Sequence, residues 1–593
     1  MLHASESFPS HWVPILETLL VLLGLALAAA GAPPLAAAGG LAMRALRAMG
    51  RHPGRSLAAL ALGSAAVLGL YTAVAGAPQP RVVDEWSYLL AADTFAHNRL
   101  ANPPHPMWRH FEADHVLQQP TYASKYPPAQ GFVLAIGKVA FGHPAAGLWL
   151  SAGLLVAAVG WMLLGWVPPP WAILGAFVVA LRLGAGGYWN HTYWGGSVAA
   201  IGGALLFGAT RRLFRRVRVV DSLLLALGVA ILATSRPYEG LLLSLPVAAL
   251  VVAGLLIGRL RPRPWLRLAL PAGVLLAATL GGVATLNRAI TGDPLEFPHS
   301  LYDRTHRVPP VFLWQPEEPR AAPARGRAGA ATVSPALEET PEERSLASAE
   351  SLSPTETPGG RTGASAETGW RAPRTSGWHR LVVTLYFFVG LPAVVALLLT
   401  PAPWRDPWSR FAAVAFLAVS VGHFLIYPWW PHYSAPALAP LLVIALQGHR
   451  QLYTARRAAA REPRAFGRAL FGAACLIQIV LFLVQIPAHR ADPADPSRQR
   501  ARLAWEFERR EGRHLLLVTY PPGRNADWTY NAADIDAAKV IWANDLGETA
   551  NADLLRYYGY RTVWAIDAAF TAIDPVPRLL RAAEAAADGP SGF

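Results

Sequence analysis

Long apolar stretches, separated by short polar connections, dominate the chain from near its start to about residue 487. Many of these stretches approach the roughly 20 residues that an α-helix needs to cross the hydrocarbon core of a bilayer. The pattern predicts a mainly α-helical, polytopic membrane protein with about 12 transmembrane helices. The predicted spans are 13–32, 57–77, 145–166, 171–187, 195–210, 221–235, 237–258, 266–288, 378–400, 410–427, 434–447 and 466–486.

Arginines cluster in four of the connections, and such clusters mark the cytoplasmic side of membrane proteins. The clusters share one side only if residues 127–142 do not cross, so this stretch, which carries Lys138, is predicted to be a helix at the interface. The clusters are Arg44, Arg47, Arg51 and Arg55; Arg211, Arg212, Arg215, Arg216 and Arg218; Arg259, Arg261, Arg263 and Arg267; and Arg450, Arg456, Arg457, Arg461, Arg464 and Arg468. The predicted outer segments are 78–143 (the first loop), 188–194, 236–239, 289–377, 428–433 and the residues after about 487.

Composition narrows the function classes. The chain has 593 residues, of which 53% are hydrophobic and 15% charged, and its net charge is +14. Because the arginines of the short connections account for topology, a nucleic-acid partner is not expected. The single Cys475 excludes an intrachain disulfide and a thiolate-based zinc cluster. The Ala, Arg, Pro and Gly bias is typical of a GC-rich bacterial genome and predicts a multi-pass protein of the bacterial inner membrane.

Two regions depart from the apolar pattern. Residues 316–375 are rich in Pro, Ala, Glu, Ser, Thr and Gly, which predicts a disordered insertion. The tail combines a charged helical pattern at 491–512 with β-like runs at 514–520, 539–544 and 561–567 and a helix at 551–558, which predicts a small C-terminal α/β soluble domain. The predicted division is an N-terminal extra span and basic cytoplasmic loop at 1–56, a membrane domain at 57–487 and the α/β domain at 488–593.

Adjacent acids, Asp84 and Glu85, follow a predicted span and open a predicted helix that extends to Arg99. Charge at a helix end in a membrane protein is costly and commonly functional. Asp84 is either the N-cap of this helix or a carboxylate facing an outer cavity, where it could accept a proton from a hydroxyl. Glu85 could serve one of these roles and Asp84 the other.

Two cations stand at predicted outer helix ends. Lys125 precedes a helix start, where an ammonium is unfavourable for the helix dipole unless an anion lies nearby. Its alternative is a lysine that reaches lipid headgroups. Arg236 lies on the side that the positive-inside bias depletes of arginine. It is either an ion-pair partner of Glu239 or a bidentate clamp on a phosphate.

Further polar and aromatic residues lie at the same predicted level. His432 and Tyr433 follow Trp429 and Trp430 and are either part of an aromatic belt or hydrogen-bond donors to a phosphate. His191 lies in a similar outer turn. A metal site formed by His105, His110, His115, Glu112 and Asp114 is an open alternative, although their spacing matches no known ligand pattern.

The ordered set of an acidic pair after an early span, a long outer loop, and Lys125-Tyr126-Pro127-Pro128 running into a helix that ends at Phe141-Gly142 resembles a known family. It is similar to the polyprenol-phosphate-sugar-dependent membrane glycosyltransferases of the C-type fold, in the branch of protein O-mannosyltransferases and aminoarabinose transferases. The resemblance covers roughly residues 57–447. The segment 13–32 and the tail lie outside it.

This resemblance implies that Asp84 is the catalytic acid of the first loop and that Lys125 contacts the donor phosphate; Arg236 and His432 are positional analogies. Family members often carry a second acid in the loop that here reads Asn190-His191-Thr192-Tyr193-Trp194, and no carboxylate occurs there. That departure bears on any two-acid or metal-assisted mechanism. No cofactor is required by the pattern, and a divalent metal is an open alternative.

The expected function is transfer of a sugar from a polyprenyl-phosphate donor to a hydroxyl of a glycan, lipid or protein acceptor at the outer face. Inversion at the sugar is expected from the resemblance alone. Asp84 and Glu85 are the catalytic candidates, and Lys125, Arg236, His432 and Tyr433 are the candidates for binding the donor phosphate. Candidates for binding the sugar or acceptor are Tyr88, Tyr126, His191 and Glu239. The alternatives are a lipid-linked sugar flippase, which should show two related halves with interrupted helices, and a membrane scaffold that presents the tail.

Overall fold

The computed structural model describes residues 12–185, 187–258, 262–306, 312, 314, 377–400, 406–426, 429–454, 462–488, 496–520, 528–568 and 575–582. The predicted disordered insertion at 316–375 lies outside these residues. The helices of the first half are α1 (Trp12–Ala29), α2 (Pro33–Met49), α3 (Pro53–Ala75), α4 (Val83–Ala96), α5 (Pro128–Phe141), α6 (Ala145–Leu164), α7 (Pro169–Val179), α8 (Ser197–Leu213) and α9 (Val219–Ser235). They are followed by α10 (Pro237–Leu256), α11 (Pro262–Thr291), α12 (Pro298–His306), α13 (Gly377–Leu398), α14 (Pro407–His423), α15 (Leu438–Thr454), α16 (Glu462–Ala488), α17 (Pro496–Arg509) and α18 (Glu548–Tyr557).

The helices agree with a polytopic membrane protein. Within the described residues, seven helices are long and apolar enough to cross a membrane: α1, α3, α6, α10, α13, and the segments Leu266–Thr291 of α11 and Ala465–Gln485 of α16. Each remaining predicted span coincides with a shorter helix, namely α7, α8, α9, α14 and α15. The number of crossings therefore stays a prediction, while the mainly helical class is confirmed.

Part of the segment predicted as a basic loop at 33–56 is helical instead. Its alanine-rich sequence favours a helix, and α2 packs beside α16 together with α1. The approach is so close that a Cβ on Gly39 would lie 2.1 Å from the backbone oxygen of Arg468, and one on Gly472 would lie 2.2 Å from that of Leu35. Glycine at both positions therefore allows the backbones to meet, as is common between membrane helices.

Helix α5 has the two faces expected of an interfacial helix. One face packs on α4 and α6 and includes Gly131 and Gly137, where a Cβ would collide with neighbouring atoms. The opposite face carries Phe132, Ile136 and Val139, which are 45%, 56% and 70% exposed. Their spacing of four and three residues places these apolar side chains on one stripe, which is suited to contact with lipid.

The tail forms a four-stranded sheet with the order β4-β3-β5-β6. Its strands are β3 (His514–Thr519), β4 (Val540–Asn544), β5 (Thr562–Asp567) and β6 (Arg578–Arg581), whereas β1 (Val116–Leu117) and β2 (Ala123–Ser124) form a small antiparallel pair in the first loop. β3 pairs in parallel with both β4 and β5, and β5 pairs antiparallel with β6. The predicted α/β alternation is therefore present, and β6 is an addition to it.

The sheet packs directly on the first loop. Phe111 and Val116 of the loop belong to the same hydrophobic cluster as Leu517, Ile541 and Leu554 of the tail. Since burial of apolar surface is the main favourable term in such packing, the tail and the loop stabilise each other. The boundaries predicted at 57–487 and 488–593 remain predictions.

Candidate active site

Asp84 and Glu85 lie in the first turn of α4 but face different surroundings, as consecutive helical residues do. The N-cap of α4 is Val82, which makes no side-chain capping bond, so the N-cap role considered for Asp84 is not what the structure has. Glu85 performs a related task, because its Oε1 accepts a hydrogen bond from the backbone N–H of Arg81 at 3.0 Å.

Asp84 forms a cluster with two residues of the first loop. Its Oδ1 lies 2.8 Å from Nδ1 of His115, and the Tyr126 hydroxyl lies 2.8 Å from the same nitrogen. A protonated Nδ1 donates to the Asp84 carboxylate, whereas an unprotonated Nδ1 accepts from the Tyr126 hydroxyl. The Asp84 side chain is 16% exposed, so it remains accessible at the surface of the bundle.

The backbone of His115 has the left-handed conformation, with φ of 64°, which is uncommon for a residue with a side chain. Three hydrogen bonds hold it there. The His115 N–H donates to the Tyr302 hydroxyl at 2.9 Å, and the His115 carbonyl accepts from the Ser87 hydroxyl at 2.6 Å and from the Lys125 N–H at 3.3 Å. Such conformations persist where the surroundings enforce them, and they concentrate at functional sites.

Lys125 is buried beside this cluster, with 4% of its side chain exposed. Its Nζ lies 3.8 Å from Oδ1 of Asp303 and 4.3 Å from the ring centroid of Tyr302. Burial lowers the pKa of the Lys125 ammonium below its ordinary value, against the opposing effect of the Asp303 and Asp84 carboxylates. The lysine is therefore a partly desolvated cation that points into the site rather than a headgroup anchor.

Arg236 approaches from the α9–α10 junction. Its guanidinium lies over the Tyr433 ring at 4.3 Å from the centroid, and Tyr88, Tyr433 and Asp84 act on it electrostatically. The Asp84 carboxylate also acts electrostatically on the Lys125 ammonium. The structure therefore brings the carboxylate and the two cations singled out in the sequence into one electrostatic environment.

Glu85 points away from this environment. It is buried, and its Oε2 accepts a hydrogen bond from the Tyr193 N–H at 2.8 Å. Burial raises the pKa of Glu85 to about 7, although the N–H groups of Arg81 and Tyr193 act in the opposite direction. With both oxygens bonded to backbone, Glu85 fixes the 188–194 turn against α4, and only Asp84 of the pair meets His115.

Of the remaining predicted residues, one contacts the cluster of Asp84, His115 and Tyr126 directly, and three contact residues outside that cluster. The Tyr88 ring stacks on that of Tyr126 with centroids 4.6 Å apart. His432 is buried, and its Nδ1 lies 2.8 Å from the Tyr188 hydroxyl. Glu239 is buried 4.0 Å from Nε2 of His423. His191 packs edge-on against Tyr71 of α3, with centroids 4.8 Å apart.

The histidines and acids considered as metal ligands are dispersed. His105 contacts Asp536 of the tail at 3.2 Å, whereas His115 contacts Asp84. The backbone carbonyls of Glu112 and Asp114 accept hydrogen bonds from tail residues. In the described part of the chain, no three His, Cys, Asp or Glu side chains are arranged to hold a metal ion.

Two further site residues, which the sequence analysis did not predict, come from α12. Asp303 lies near Lys125, and its Oδ2 is 3.2 Å from Nε2 of His299. Burial lowers the pKa of His299, and the charge of Lys125 adds to this. The available signal was the histidine and the acid four residues apart on one helical face. Asp303 adds a second carboxylate beside Lys125.

Comparisons with known proteins were made by sequence and by structure. No protein-family model matches the chain, and no curated protein matches it either. The structure is similar to that of ArnT from Cupriavidus metallidurans bound to undecaprenyl phosphate, with 12% identity and a TM-score of 0.47 over 86% of this chain and 92% of that chain.

The structure is also similar to the apo form of an oligosaccharyltransferase from Archaeoglobus fulgidus, with 12% identity and a TM-score of 0.45. That match covers 78% of this chain and 62% of the oligosaccharyltransferase, so the chain spans about three fifths of that protein's length. Both similarities concern the fold alone.

Proposed function

We propose that this protein is a membrane glycosyltransferase that transfers a sugar from a polyprenyl-phosphate donor to an acceptor hydroxyl at the outer, periplasmic face. The observation that carries this proposal is that Asp84, which contacts His115, acts electrostatically on both Lys125 and Arg236. A carboxylate beside two cations provides a proton acceptor and a site for a phosphate within the same small volume.

Asp84 is the general base of this proposal. In the reaction, the acceptor oxygen forms a bond to the anomeric carbon of the sugar while the bond from that carbon to the phosphate oxygen breaks. The acceptor proton passes to Asp84, and the electron pair of the broken bond leaves with the polyprenyl phosphate. His115 holds the carboxylate through its contact at 2.8 Å, which limits the orientations from which Asp84 takes up the proton.

Lys125 and Arg236 stabilise the charge that develops on the departing phosphate. The burial of Lys125 strengthens this effect, because electrostatic interactions are larger away from bulk water. Asp303 holds Lys125 from the side of α12, and His299 contacts Asp303 in turn. The stacking of Arg236 on Tyr433 orients the guanidinium, which can bind two phosphate oxygens at once.

The exposed stripe of α5 fits the hydrocarbon tail of such a donor. Helix α5 begins at Pro128, three residues after Lys125, and its apolar residues Phe132, Ile136 and Val139 face outward. A lipid whose phosphate lies near Lys125 can extend its tail along this stripe without leaving the bilayer. The donor thus enters from the membrane, while its charged part stays at the water boundary.

The test is to incubate the purified full-length protein with a panel of polyprenyl-phosphate sugars and an acceptor extract and to measure released polyprenyl phosphate. Wild type is expected to release lipid phosphate from at least one donor. Asp84→Asn should reduce release by about 10²- to 10⁴-fold, the usual contribution of a general base. The matched control is Asp553→Asn, which removes a carboxylate that is 67% exposed on α18.

Loss of release in the Asp553 variant to the same degree as in the Asp84 variant would contradict the assignment. A flippase would move the lipid-linked sugar across vesicles without releasing lipid phosphate from any donor, and that result would replace sugar transfer by transport. A protein that acts only as a scaffold would keep its cellular function when Asp84 is replaced by asparagine.

A further inference from the structure

A cavity of about 250 Å³ lies at the end of the helical bundle opposite the candidate active site. Helices α8, α14 and α15 join the two regions, since each has one end near the site and its other end at the cavity. Each contains 17 residues, which corresponds to about 25 Å at 1.5 Å per residue. This length approaches the thickness of a bilayer core, and the predicted topology, which puts Arg211 and Arg450 in cytoplasmic connections, predicts that the cavity lies at the other membrane surface.

The lining combines two guanidinium groups with neutral polar and aromatic side chains. Its residues are Trp166, Arg211, Asp406, Trp408, Ser409, Gln447, Arg450 and Gln451.

Arg211 lies over the Trp408 ring at 4.1 Å from the centroid, which fixes its plane. Its Nε is buried and, within the described residues, has no hydrogen-bond partner. A buried donor without a partner is costly in free energy, so the described residues leave this guanidinium incompletely hydrogen-bonded.

Asp406 is the one carboxylate in the described lining, and its oxygen is already engaged. Its Oδ2 accepts hydrogen bonds from the Ser409 N–H at 2.8 Å and the Ser409 hydroxyl at 3.0 Å, because Asp406 is the N-cap of α14. Two arginines against one aspartate leave a net charge of +1 in the described lining.

We propose that this cavity is a second anion site that binds a phosphate group, separate from the reaction at the candidate active site. Guanidinium groups bind phosphate oxygens in pairs, and tryptophans beside arginines at a membrane surface are suited to a lipid headgroup. The phosphate belongs either to an anionic lipid of the adjoining leaflet or to a soluble ion.

The experiment measures the thermal unfolding midpoint of the full-length protein in neutral detergent by tryptophan fluorescence. One titration uses phosphatidylglycerol, a second uses inorganic phosphate, and phosphatidylcholine serves as the lipid reference. Wild type is expected to be stabilised by one of the two anionic probes and not by phosphatidylcholine. Stabilisation by phosphatidylglycerol alone identifies a lipid ligand, and stabilisation by inorganic phosphate identifies a soluble one.

Variants test whether the effect arises in the cavity. The double variant Arg211→Gln/Arg450→Gln should raise the probe concentration at half-effect at least tenfold, whereas the exposed control pair Arg216→Gln/Arg218→Gln should leave it within twofold. Asp406→Asn keeps the N-cap and removes the opposing charge, so it should lower that concentration several-fold. This third variant decides the question if the double variant does not fold.

An absent response in wild type, an unchanged response in the double variant, or weaker binding in Asp406→Asn would each overturn the proposal. None of these outcomes bears on the release of polyprenyl phosphate at the other end of the bundle.

Discussion

Two histidines of the first loop each form a cluster with an aspartate and a tyrosine, and the two clusters have different surroundings. The docking cluster consists of His105 with Asp536 and Tyr558 of the tail, and the site cluster consists of His115 with Asp84 and Tyr126. In each, a histidine nitrogen lies within hydrogen-bond distance of both the carboxylate and the tyrosine hydroxyl. Residue type alone therefore does not distinguish a structural cluster from a candidate active site.

Exposure does not explain the difference either. The Asp536 side chain is 44% exposed, whereas that of Asp84 is 16% exposed. Partial burial raises the pKa of Asp536, but hydrogen bonds from His105, Tyr558 and Tyr557 outweigh it and lower the pKa to about 2. A carboxylate with so low a pKa is a poor proton acceptor near neutral pH.

The two clusters differ in the groups that surround them. Both ring nitrogens of His105 already have hydrogen-bond partners, since the Met107 N–H donates to Nδ1 at 2.9 Å and Nε2 lies 3.2 Å from Asp536. The site cluster instead lies beside Lys125, within range of Arg236, and next to the exposed stripe of α5. Cations and access to lipid, rather than the His–Asp–Tyr set itself, indicate chemistry.

The largest difference between the clusters should appear when each histidine is replaced by phenylalanine. His115→Phe removes the partner that orients Asp84, so the rate of lipid-phosphate release should fall on the order of 10²-fold. His105→Phe removes one hydrogen-bond partner from Asp536 and Tyr558, which keep their bond to each other, so it should lower the unfolding midpoint by a few degrees and change release less than threefold. Equal losses of activity in the two variants would show that the comparison is wrong.

The contact between α4 and the tail can be tested through Arg500, which lies beside Trp86, two residues from Asp84. The Arg500 guanidinium lies 4.0 Å from the Trp86 ring centroid and 4.5 Å from that of Trp542, so it joins α4 to the tail. Arg500→Met should reduce kcat about tenfold with a smaller change in KM, because small displacements of a catalytic group are costly. Its control is Arg509→Met on the same helix, where an exposed arginine stacks on Trp505. An unchanged kcat, measured well below the unfolding midpoint, would separate the tail from catalysis.

The lowered pKa of Lys125 predicts an alkaline limit to activity. Because burial lowers this pKa, the ammonium is lost as pH rises through a value below that of a free lysine, and phosphate stabilisation is lost with it. Lys125→Arg keeps the positive charge to higher pH, so the alkaline limb of the kcat/KM profile should move upward by at least about one pH unit. An unmoved limb would mean that another group sets it.

The smallest expected effect concerns acid stability at Asp536. Its folded pKa of about 2 lies below the unfolded value of about 3.9, so its contribution to stability is present above pH 4 and is lost as pH falls towards 2. Wild type should therefore unfold at a higher temperature than Asp536→Asn at pH 6, and the difference should shrink at pH 3. A difference that grows on acidification would reverse the sign and reject this account.

Local pattern was enough to predict much of this molecule. Apolar runs of span length give helices because their backbone hydrogen bonds close within each segment, and the alternation in the tail gives a sheet with a helix between β4 and β5. Asp84 and Lys125 could be singled out because charge beside an apolar helix is costly. The helix at 33–49 was missed because arginines at its end resembled a loop, although its alanine-rich sequence favours a helix.

Only the tertiary structure decided which of these charged residues meet. Asp303 joins Lys125 across 178 positions of the chain, and His105 leaves its neighbours in sequence for a partner 431 positions away. Glu85, next to Asp84, turns inward because one step along a helix rotates a side chain by about 100°. Periodicity records only which face of an element is apolar, whereas the partners of a polar side chain depend on how separate elements pack, and that information is spread over the whole chain.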